Sequence, residues 1–388
     1  LTILKVIERE GKTMFEELKG KLGFGCMRLP MIEGEVDEEQ FKDMIDHYVQ
    51  QGLNYFDTAH GYIEGKSEKA IKNCLTSRYE RNKYILADKL TEPYFSREED
   101  IRPFFESQLD LCGVDYFDFY LMHAQNARNF EHFKKCRAYE TVTELKKEGK
   151  IRHMGISFHD SPEVLDRILT EYPQIEVVQL QFNYLDYEDP MVQSRKCCET
   201  VRKHGKKVLV MEPVKGGELA RLPQQAQAIL ADLGNPEASA ASYAIRFAAG
   251  HEDVIMVLSG MSTLEQMKDN AAFMKDMQPL NEQERKALEQ IRDFYQSQGL
   301  IGCTACRYCV EGCPRQIPIP NIFAAVNACK QFQPEHAQWR FSMAVKGKGR
   351  PSDCIKCRKC EKICPQMLPI TDLLLEAAVL FEDRDEKQ

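Results

Sequence analysis

The sequence predicts an α/β protein that consists of a (β/α)8 barrel followed by a smaller, cysteine-rich domain. Up to about residue 275, short apolar, β-branched or aromatic runs alternate with charged stretches of helical period. From about residue 299 this alternation stops, and cysteine and proline become frequent. This change in composition and pattern indicates a boundary between two domains, as expected for a chain of 388 residues.

The apolar runs number eight, which is the strand count of a (β/α)8 barrel. Near-continuous apolar strands separated by helices are typical of a parallel sheet that is covered on both faces. A doubly wound sheet is the alternative, but the strand count and the lack of a glycine-rich nucleotide-binding fingerprint favour the barrel. The runs are KLGFGC, NYFDTA, YILADKL, FDFYLMH, IRHMGIS, VVQLQFN, KVLVMEP and DVIMVLSG.

The stretches between the runs predict amphipathic helices. EEQFKDMIDHYVQQG, FKKCRAYETVTELKKEG and VQSRKCCETVRKHG each end in glycine, a signal for the end of a helix. A further helix is predicted in NEQERKALEQIRDFYQSQG. We therefore expect a barrel at 1–280, a connecting helix at 281–298 and a second domain with a C-terminal helix at 299–388.

Composition excludes some classes of function. The net charge is −8 and no basic tract is present, so nucleic-acid binding has no support. The longest apolar stretches have the length of strands, which argues against a membrane span. Charges in the first residues do not fit a signal peptide, so we expect a cytoplasmic protein. In that compartment the 15 cysteines favour metal ligation over disulfides.

Eight cysteines near the C-terminus form two runs with the spacing C-x2-C-x2-C-x3-C, and each run is followed by proline. The runs are Cys303, Cys306, Cys309 and Cys313, then Cys354, Cys357, Cys360 and Cys364. This spacing is found in bacterial ferredoxins, where the fourth cysteine of each run ligates the other cluster. Residues 299–370 thus resemble a bacterial-type ferredoxin with two 4Fe-4S clusters.

The crossed scheme assigns four cysteines to each cluster. One cluster takes Cys303, Cys306, Cys309 and Cys364, and the other takes Cys354, Cys357, Cys360 and Cys313. A pair of zinc sites is the alternative. Zinc commonly uses two separated C-x2-C pairs, which fits these runs less well.

Polar side chains lie where three consecutive predicted strands end: Asp57, Lys89 and His123, with Tyr62 following in DTAHGY. Active sites of these barrels lie at the C-terminal ends of the strands. Residues 20–275 resemble the aldo-keto reductase family, whose catalytic tetrad maps onto these four positions. Without catalysis, the same residues would be a structural ion pair, a loop aromatic and a core histidine.

The resemblance implies reduction of a small-molecule carbonyl substrate, which needs a hydride on carbon and a proton on oxygen. Tyr62 is the candidate general acid, and the Lys89 ammonium is expected to lower the pKa of Tyr62. Asp57 would hold Lys89 in place. His123 would donate a hydrogen bond to the carbonyl oxygen. The candidates for further substrate contacts are His60, Tyr184 and Arg28.

The resemblance also implies a nicotinamide cofactor, NADP or NAD. Its amide would contact Ser157 and Gln181, and Met211 stands where the family has an aromatic residue against the ring. The phosphates would lie at the loop after the eighth strand, because the N-terminus of a helix attracts anions. That region contains Ser259, Gly260, Ser262, Thr263, Gln266 and Asn270.

Three features of this cofactor region depart from the family or have another explanation. Ser262 and Glu265 could simply form a helix capping box. Phe158 follows the serine of GIS where the family usually has asparagine. The family's basic residues for the 2′-phosphate fall at Gly260 and Gln266, so the choice between NADP and NAD stays open.

Clusters transfer single electrons and nicotinamides transfer hydride, and a flavin normally connects the two. The sequence has no flavin fingerprint, so bound flavin is left open. We expect the cluster domain, placed near the barrel mouth, to carry electrons between that mouth and an electron-transfer protein. The alternatives are clusters that only stabilise the domain, a nicotinamide-binding redox sensor, and an electron carrier without carbonyl turnover.

Overall fold

The structure is a computed structural model that describes residues 15–189, 192–303, 308–331, 334–364 and 368–382. The described residues fall into two compact units. The first unit comprises 15–188, 193–220 and 236–281, and the second consists mainly of 221–235 and 282–382. Within the described ranges, every helix is too short or too polar to cross a membrane.

The first unit is a closed barrel of eight parallel strands in sequential order. Each predicted apolar run contains one strand, so the predicted (β/α)8 barrel is confirmed. The strands are β1 (Leu22–Gly25), β2 (Tyr55–Asp57), β3 (Ile85–Leu90), β4 (Phe117–Gln125), β5 (Ile151–Phe158), β6 (Val177–Gln181), β7 (Lys207–Met211) and β8 (Val254–Ser259). A short hairpin, Met31–Ile32 with Glu35–Val36, follows β1.

Helices follow the strands in this unit. They are α1 (Glu38–Gln50), α2 (Lys66–Ile71), α3 (Glu98–Cys112), α4 (Ala127–Lys135), α5 (Ala138–Lys147), α6 (Pro162–Glu171), α7 (Ser194–Lys203), α9 (Ala240–Ala249) and α10 (Leu264–Lys275). Helix α8 (Gln224–Ala231), which lies between α7 and α9 in sequence, belongs to the second unit. Gly52, Gly149 and Gly205 follow helices with φ of 80°, 78° and 66°, as their glycine signals predict. The stretch FKKCRAYETVTELKKEG forms two helices, because Arg137 adopts a left-handed backbone with φ of 52°.

Apolar side chains fill the barrel. Gly155 makes room among them, since a Cβ there would lie 2.4 Å from the Leu121 side chain. Phe15 lies at the N-terminal end of the barrel, where its ring packs against those of Phe119 and His153 at 5.8 and 4.7 Å. The packed interior leaves the opposite end, where the strands finish, for polar side chains.

The second unit is helical within its described residues. It contains α8, α11 (Glu282–Ser297), α12 (Tyr308–Glu311), α13 (Ile319–Gln331), α14 (Pro334–Val345), α15 (Lys359–Ile363) and α16 (Ile370–Phe381). Ile322, Phe323, Phe341 and Phe381 are buried in one apolar cluster, and the last two rings stack at 4.6 Å. This unit therefore packs an apolar core of its own, which weakens the case for clusters that serve only to stabilise it.

Candidate functional site

The four tetrad positions meet at the C-terminal end of the barrel. Asp57 ends β2, Lys89 lies near the end of β3, His123 lies late in β4, and Tyr62 begins a 3-10 turn after β2. The Lys89 Nζ donates to Asp57 Oδ1 at 2.7 Å and to the Thr58 carbonyl at 2.6 Å. It lies 4.8 Å from the centroid of the Tyr62 ring, and that ring lies 6.1 Å from the His123 ring. The four side chains thus converge on one place.

Burial and pairing decide the charges of Lys89 and Asp57. Burial alone would lower the pKa of Lys89, but Asp57 and Tyr62 together raise it above its ordinary value. Burial raises the pKa of Asp57, and the Lys89 ammonium opposes that rise. A buried ammonium and carboxylate 2.7 Å apart therefore stabilise each other's charged forms.

The pKa of Tyr62 is higher than the sequence led us to expect. Burial raises the pKa of Tyr62, and although Lys89 acts to lower it, the pKa remains above its ordinary value. The predicted effect of Lys89 has the right sign, but the net pKa is raised because removing a phenolate from water costs more than one ammonium restores. Tyr62 is consequently in its protonated form at neutral pH.

Thr91 holds the ring of His123. The Thr91 hydroxyl lies 2.8 Å from His123 Nδ1 and 3.3 Å from the Lys89 carbonyl. Burial, with Lys89 and His159 nearby, lowers the pKa of His123 well below its ordinary value, so the ring is neutral. Thr91 has a single hydroxyl proton: given to the Lys89 carbonyl, it leaves the His123 proton on Nδ1, and given to Nδ1, it leaves the His123 proton on Nε2. Thr91 was not among the site residues predicted from the sequence.

A buried polar network behind Lys89 was also missed. Gln108 Nε2 donates to Glu68 Oε1 at 3.2 Å and to Asp88 Oδ1 at 3.1 Å. Asp88 Oδ1 accepts from the Lys89 backbone N–H at 2.8 Å, and Glu68 Oε2 lies 2.8 Å from His60 Nδ1. Burial and the neighbouring Glu68 raise the pKa of Asp88 well above its ordinary value. The network ties β3 to the loop that carries Tyr62, and the signal for it was an aspartate inside an apolar strand.

The residues predicted to hold the nicotinamide lie at three strand ends. Ser157 Oγ accepts from the Ala124 N–H at 2.8 Å. Gln181 Nε2 donates to Asp186 Oδ2 at 2.7 Å, which fixes the orientation of its amide. Met211 ends β7 next to β6. These positions follow one another around the barrel, with β5, β6 and β7 paired in that order.

The loop from β8 into α10 contains the predicted phosphate contacts. Thr263 is the N-cap of α10, and its side chain accepts from the Gln266 N–H at 3.3 Å. The proposed Ser262–Glu265 capping box is therefore wrong by one residue. The Ser262 hydroxyl donates instead to the Arg28 carbonyl at 2.8 Å, a contact distant in sequence. Two further predicted residues stabilise the loop, with Asn270 Nδ2 donating to Ser259 Oγ at 2.7 Å.

Arg28 lies over Gly260. A Cβ at Gly260 would lie 3.6 Å from Arg28 Cβ and 3.7 Å from its Nη1. The guanidinium pairs with Glu212 at 3.3 Å, and both side chains are partly exposed. A guanidinium from another loop therefore lies beside position 260, where many members of the family have a basic residue. Tyr184, also predicted to touch substrate, is buried, with its ring edge-on to Phe247 at 6.2 Å.

In the second unit, cysteines from both runs line one cavity that is open to solvent. Cys313 joins Cys354, Cys357 and Cys360 there, the set that the crossed scheme assigns to one cluster. Four sulfur donors in one cavity fit an iron–sulfur cluster chemically. Of the other set, Cys306 lies outside the described residues, and Cys303, Cys309 and Cys364 belong to or border the apolar core.

Models of known protein families match the sequence of both the barrel and the cysteine-rich domain. A sequence model described as the Aldo/keto reductase family matches residues 21–293. The chain belongs to the aldo-keto reductase family. A second model, described as a 4Fe-4S dicluster domain, matches residues 302–368. This aldo-keto reductase is therefore a barrel oxidoreductase with a 4Fe-4S dicluster domain, as the sequence predicted.

Curated relatives of this aldo-keto reductase are distant. It is 24% identical over 301 residues to the uncharacterised oxidoreductase YqkF of Bacillus subtilis, an alignment that covers 69% of this chain and 91% of the relative. It is 24% identical over 299 residues to the NADH-specific methylglyoxal reductase of Escherichia coli, which covers 66% of this chain and 89% of the relative.

Solved structures share the barrel. The holo form of the aldo-keto reductase AKR11C1 from Bacillus halodurans is 25% identical with a TM-score of 0.58, covering 70% of this chain and 92% of that one. An aldo/keto reductase from Klebsiella pneumoniae in complex with NADP and acetate is 19% identical, with a TM-score of 0.58 and coverage of 70% and 91%. The second likeness concerns the fold alone.

Proposed function

We propose that this aldo-keto reductase reduces small carbonyl compounds with NADPH or NADH, and that its dicluster domain exchanges electrons with a protein partner. The observation that carries the first part is the buried contact of Lys89 with Asp57 beside the ring of Tyr62. The second part is supported by the sulfur-lined cavity and the dicluster match.

Tyr62 is the general acid in this proposal. A reduced nicotinamide, when bound, supplies hydride to the carbonyl carbon. Tyr62 donates its proton to the carbonyl oxygen as negative charge develops there. Its raised pKa keeps it protonated beforehand, and the Lys89 ammonium stabilises the phenolate that the donation leaves. Asp57 holds Lys89 charged and in position.

His123 orients the carbonyl group. In the tautomer proposed for catalysis, the Thr91 hydroxyl donates to Nδ1 and the neutral ring presents its Nε2–H to the carbonyl oxygen. A neutral donor suits this role because it polarises the carbonyl without competing with Tyr62 for the proton transfer. The tautomer is thereby set by a residue outside the tetrad.

The cofactor is expected to follow the ends of β5 to β8. Ser157 and Gln181 hold the nicotinamide amide, and the thioether of Met211 packs against the ring. The N-terminus of α10, capped by Thr263, is proposed to receive phosphate through first-turn N–H groups and the helix dipole. Arg28 adds a cation at this loop once phosphate displaces Glu212 from the guanidinium. NADPH and NADH remain the two candidates.

The dicluster domain is proposed to hold two 4Fe-4S clusters with crossed ligation. Cys313, Cys354, Cys357 and Cys360 would hold one, which is supported by their shared cavity. The remaining four predicted cysteines would hold the other. These clusters supply single-electron transfer when present.

The test begins with anaerobic purification and a count of iron, sulfide, zinc, flavin and bound nicotinamide. Turnover of methylglyoxal and other small aldehydes is then measured with NADPH and NADH. Tyr62→Phe should lower turnover by about 10²–10⁴-fold while cofactor binding, followed by fluorescence, is retained. Tyr116→Phe, which removes the hydroxyl of a partly exposed tyrosine just before β4, is the matched control.

Wild-type turnover in Tyr62→Phe would contradict the proposed role of this residue. A protein that binds nicotinamide but turns over no aldehyde would favour the redox-sensor alternative. Equal electron transfer in wild type and Tyr62→Phe, without carbonyl turnover, would favour a pure electron carrier. Zinc in place of iron would contradict the cluster assignment.

A further inference from the structure

Three cations line the sulfur-lined cavity of the second unit. They are Arg315, Arg358 and Lys359, called here the cationic rim, and all three are exposed. No carboxylate lines the cavity among the residues that the structure describes. Since the whole chain has a net charge of −8, this concentration of positive charge is a local feature.

Two acidic side chains beside the rim accept hydrogen bonds within the fold. Glu361 accepts from the Thr371 N–H at 2.9 Å and from the Thr371 hydroxyl, and these bonds lower the pKa of Glu361. It reaches Arg358 only at 3.7 Å. Asp353 accepts from the Arg350 N–H at 2.7 Å. Both carboxylates are charged and neutralise part of the positive charge, but the basic side chains of this segment outnumber them.

The positive charge extends beyond the rim along the chain. From position 346 to 362, seven side chains are basic and two, Asp353 and Glu361, are acidic. The loop around Gly349 packs tightly on Arg315, since a Cβ at Gly349 would lie 2.1 Å from the Arg315 carbonyl oxygen. This contact places the backbone of the preceding basic stretch beside the rim. The seven are Lys346, Lys348, Arg350, Lys356, Arg358, Lys359 and Lys362.

An apolar patch accompanies these charges. Ile355 lines the cavity and is 54% exposed, and Cys357, one of the four sulfur donors, is exposed as well. Ile363 is 52% exposed. An apolar centre surrounded by charged side chains is typical of a protein interface, and redox encounters use small interfaces of this kind.

We propose that the cationic rim and Ile355 form the docking surface for an acidic one-electron carrier protein. The inference rests on the proposed function, because it names the partner of the cluster-bearing domain. The reduced carrier loses one electron and this domain gains one, with no bond formed or broken. Complementary charge would speed the encounter and orient the carrier so that its redox group faces the exposed edge of the cavity.

Charge compensation is the competing explanation for the rim. Four thiolates bring negative charge into the cavity, and nearby cations would stabilise it regardless of any partner. The two explanations differ in what they predict for carriers of opposite sign. Compensation acts through the midpoint potential of the cluster, whereas docking acts through the encounter and depends on the charge of the carrier.

The experiment compares Arg315→Ala/Arg358→Ala/Lys359→Ala with wild type, both as anaerobically prepared holoprotein. Stopped-flow absorbance follows electron transfer from a reduced acidic flavodoxin and, separately, from the reduced protein to the basic carrier cytochrome c. Binding of oxidised flavodoxin is measured by fluorescence anisotropy, and the cluster potentials by redox titration. The matched control is Arg97→Ala/Arg167→Ala/Lys203→Ala, which removes the same charge from exposed positions on barrel helices or their ends.

At about 0.01 M salt, the rim variant should bind flavodoxin more weakly and react with it about 10-fold more slowly. At about 1 M salt, where the Debye length is about 3 Å, the difference should disappear. The reaction with cytochrome c should not slow down, and the control variant should behave as wild type. Any shift of the cluster potentials should be too small to account for the slower reaction with flavodoxin.

Unchanged flavodoxin binding and rates in the rim variant would overturn the docking proposal. So would rates that shift with both carriers in step with a changed potential, or an equal loss in the control variant. Iron and sulfide content with dithionite bleaching tests the proposed function separately. Wild-type protein without clusters would contradict both the proposed role of the dicluster domain and the docking proposal. Cluster-loaded protein whose rates do not depend on the rim would contradict the docking proposal alone.

Discussion

Replacing Lys89 by methionine removes one buried positive charge and keeps an unbranched, mostly apolar side chain. In the structure the Lys89 side chain is 1% exposed and its Nζ donates to Asp57 Oδ1 at 2.7 Å. The same atom lies 4.8 Å from the centroid of the Tyr62 ring. The substitution therefore withdraws the charge that would stabilise a phenolate during proton donation.

The distance sets the size of the expected effect. Two unit charges about 4.8 Å apart interact by about 3.5 kcal/mol at an effective dielectric constant of about 20. That energy corresponds to about 300-fold in rate. We expect Lys89→Met to lower kcat/KM for aldehydes by about 10²–10³-fold, with cofactor affinity changed little because Lys89 faces Tyr62 and Asp57.

The pH profile of kcat/KM should shift as well. A general acid must be protonated, so activity is present below the pKa of Tyr62 and is lost as the pH rises through it. Burial already raises this pKa and Lys89 opposes the rise. Without Lys89 the alkaline limb should therefore move to still higher pH, while the plateau falls.

A second variant separates chemistry from folding. Lys89→Met leaves the buried Asp57 without its partner, and breaking such a pair costs about 3–5 kcal/mol of stability. Asp57→Asn/Lys89→Met removes both charges and should recover part of the thermal midpoint, followed by far-UV circular dichroism. It should not recover turnover. Single-variant turnover within about 3-fold of wild type, or full turnover in the double variant, would refute the electrostatic reasoning.

Three further predictions concern the neighbouring residues and the clusters. Thr91→Val should lower kcat/KM about 10-fold with unchanged cofactor affinity, because the catalytic histidine loses the partner of its Nδ1; full activity in steady-state kinetics would contradict this. Arg28→Ala should weaken NADPH about 10-fold and NADH less in fluorescence titrations, and equal weakening would count against a role with the 2′-phosphate. Cys313→Ser/Cys357→Ser should lose no more iron than either single variant, whereas Cys313→Ser/Cys303→Ser should lose iron from both clusters; the reverse result would exclude crossed ligation.

The barrel could be predicted from the sequence because strands buried on both faces leave continuous apolar runs. The ends of several helices could also be predicted, because glycine readily adopts the left-handed backbone conformation that ends a helix. The break at Arg137 could not be predicted, since a positive φ at arginine has no local signature. Helix α11 was expected from its periodicity, but its grouping with α8 depends on contacts distant in sequence.

The polar residues at strand ends could be predicted because the barrel brings all strand ends together at one face. The residues that hold them could not be predicted, because their contacts form only in the folded protein. Thr91 contacts His123, and Gln108 donates to both Glu68 and Asp88. The direction of the Tyr62 pKa was missed for a related reason. Adjacent charges can be guessed from a motif, whereas the cost of burial depends on everything that covers the side chain.

Arg28 shows what position-by-position comparison leaves out. Glycine at position 260 removes a basic side chain from the phosphate loop, but a guanidinium from the β1 loop lies against that glycine. The two residues are 232 positions apart, so no local pattern connects them. By contrast, Cys313 shares a cavity with the first three cysteines of the second run, and the spacing of the two runs already implied a fourth ligand from the other run.

Deuterium transfer tests most directly whether this barrel reduces carbonyls with Tyr62 as the acid. NADPH or NADH deuterated at the transferred position is mixed anaerobically with holoprotein and an aldehyde, and the alcohol is analysed by mass spectrometry. We predict deuterium on the carbinol carbon with wild type, and transfer about 10²-fold slower or worse with Tyr62→Phe. Cofactor oxidation without deuterium in the product, or transfer at the wild-type rate by Tyr62→Phe, would contradict the account.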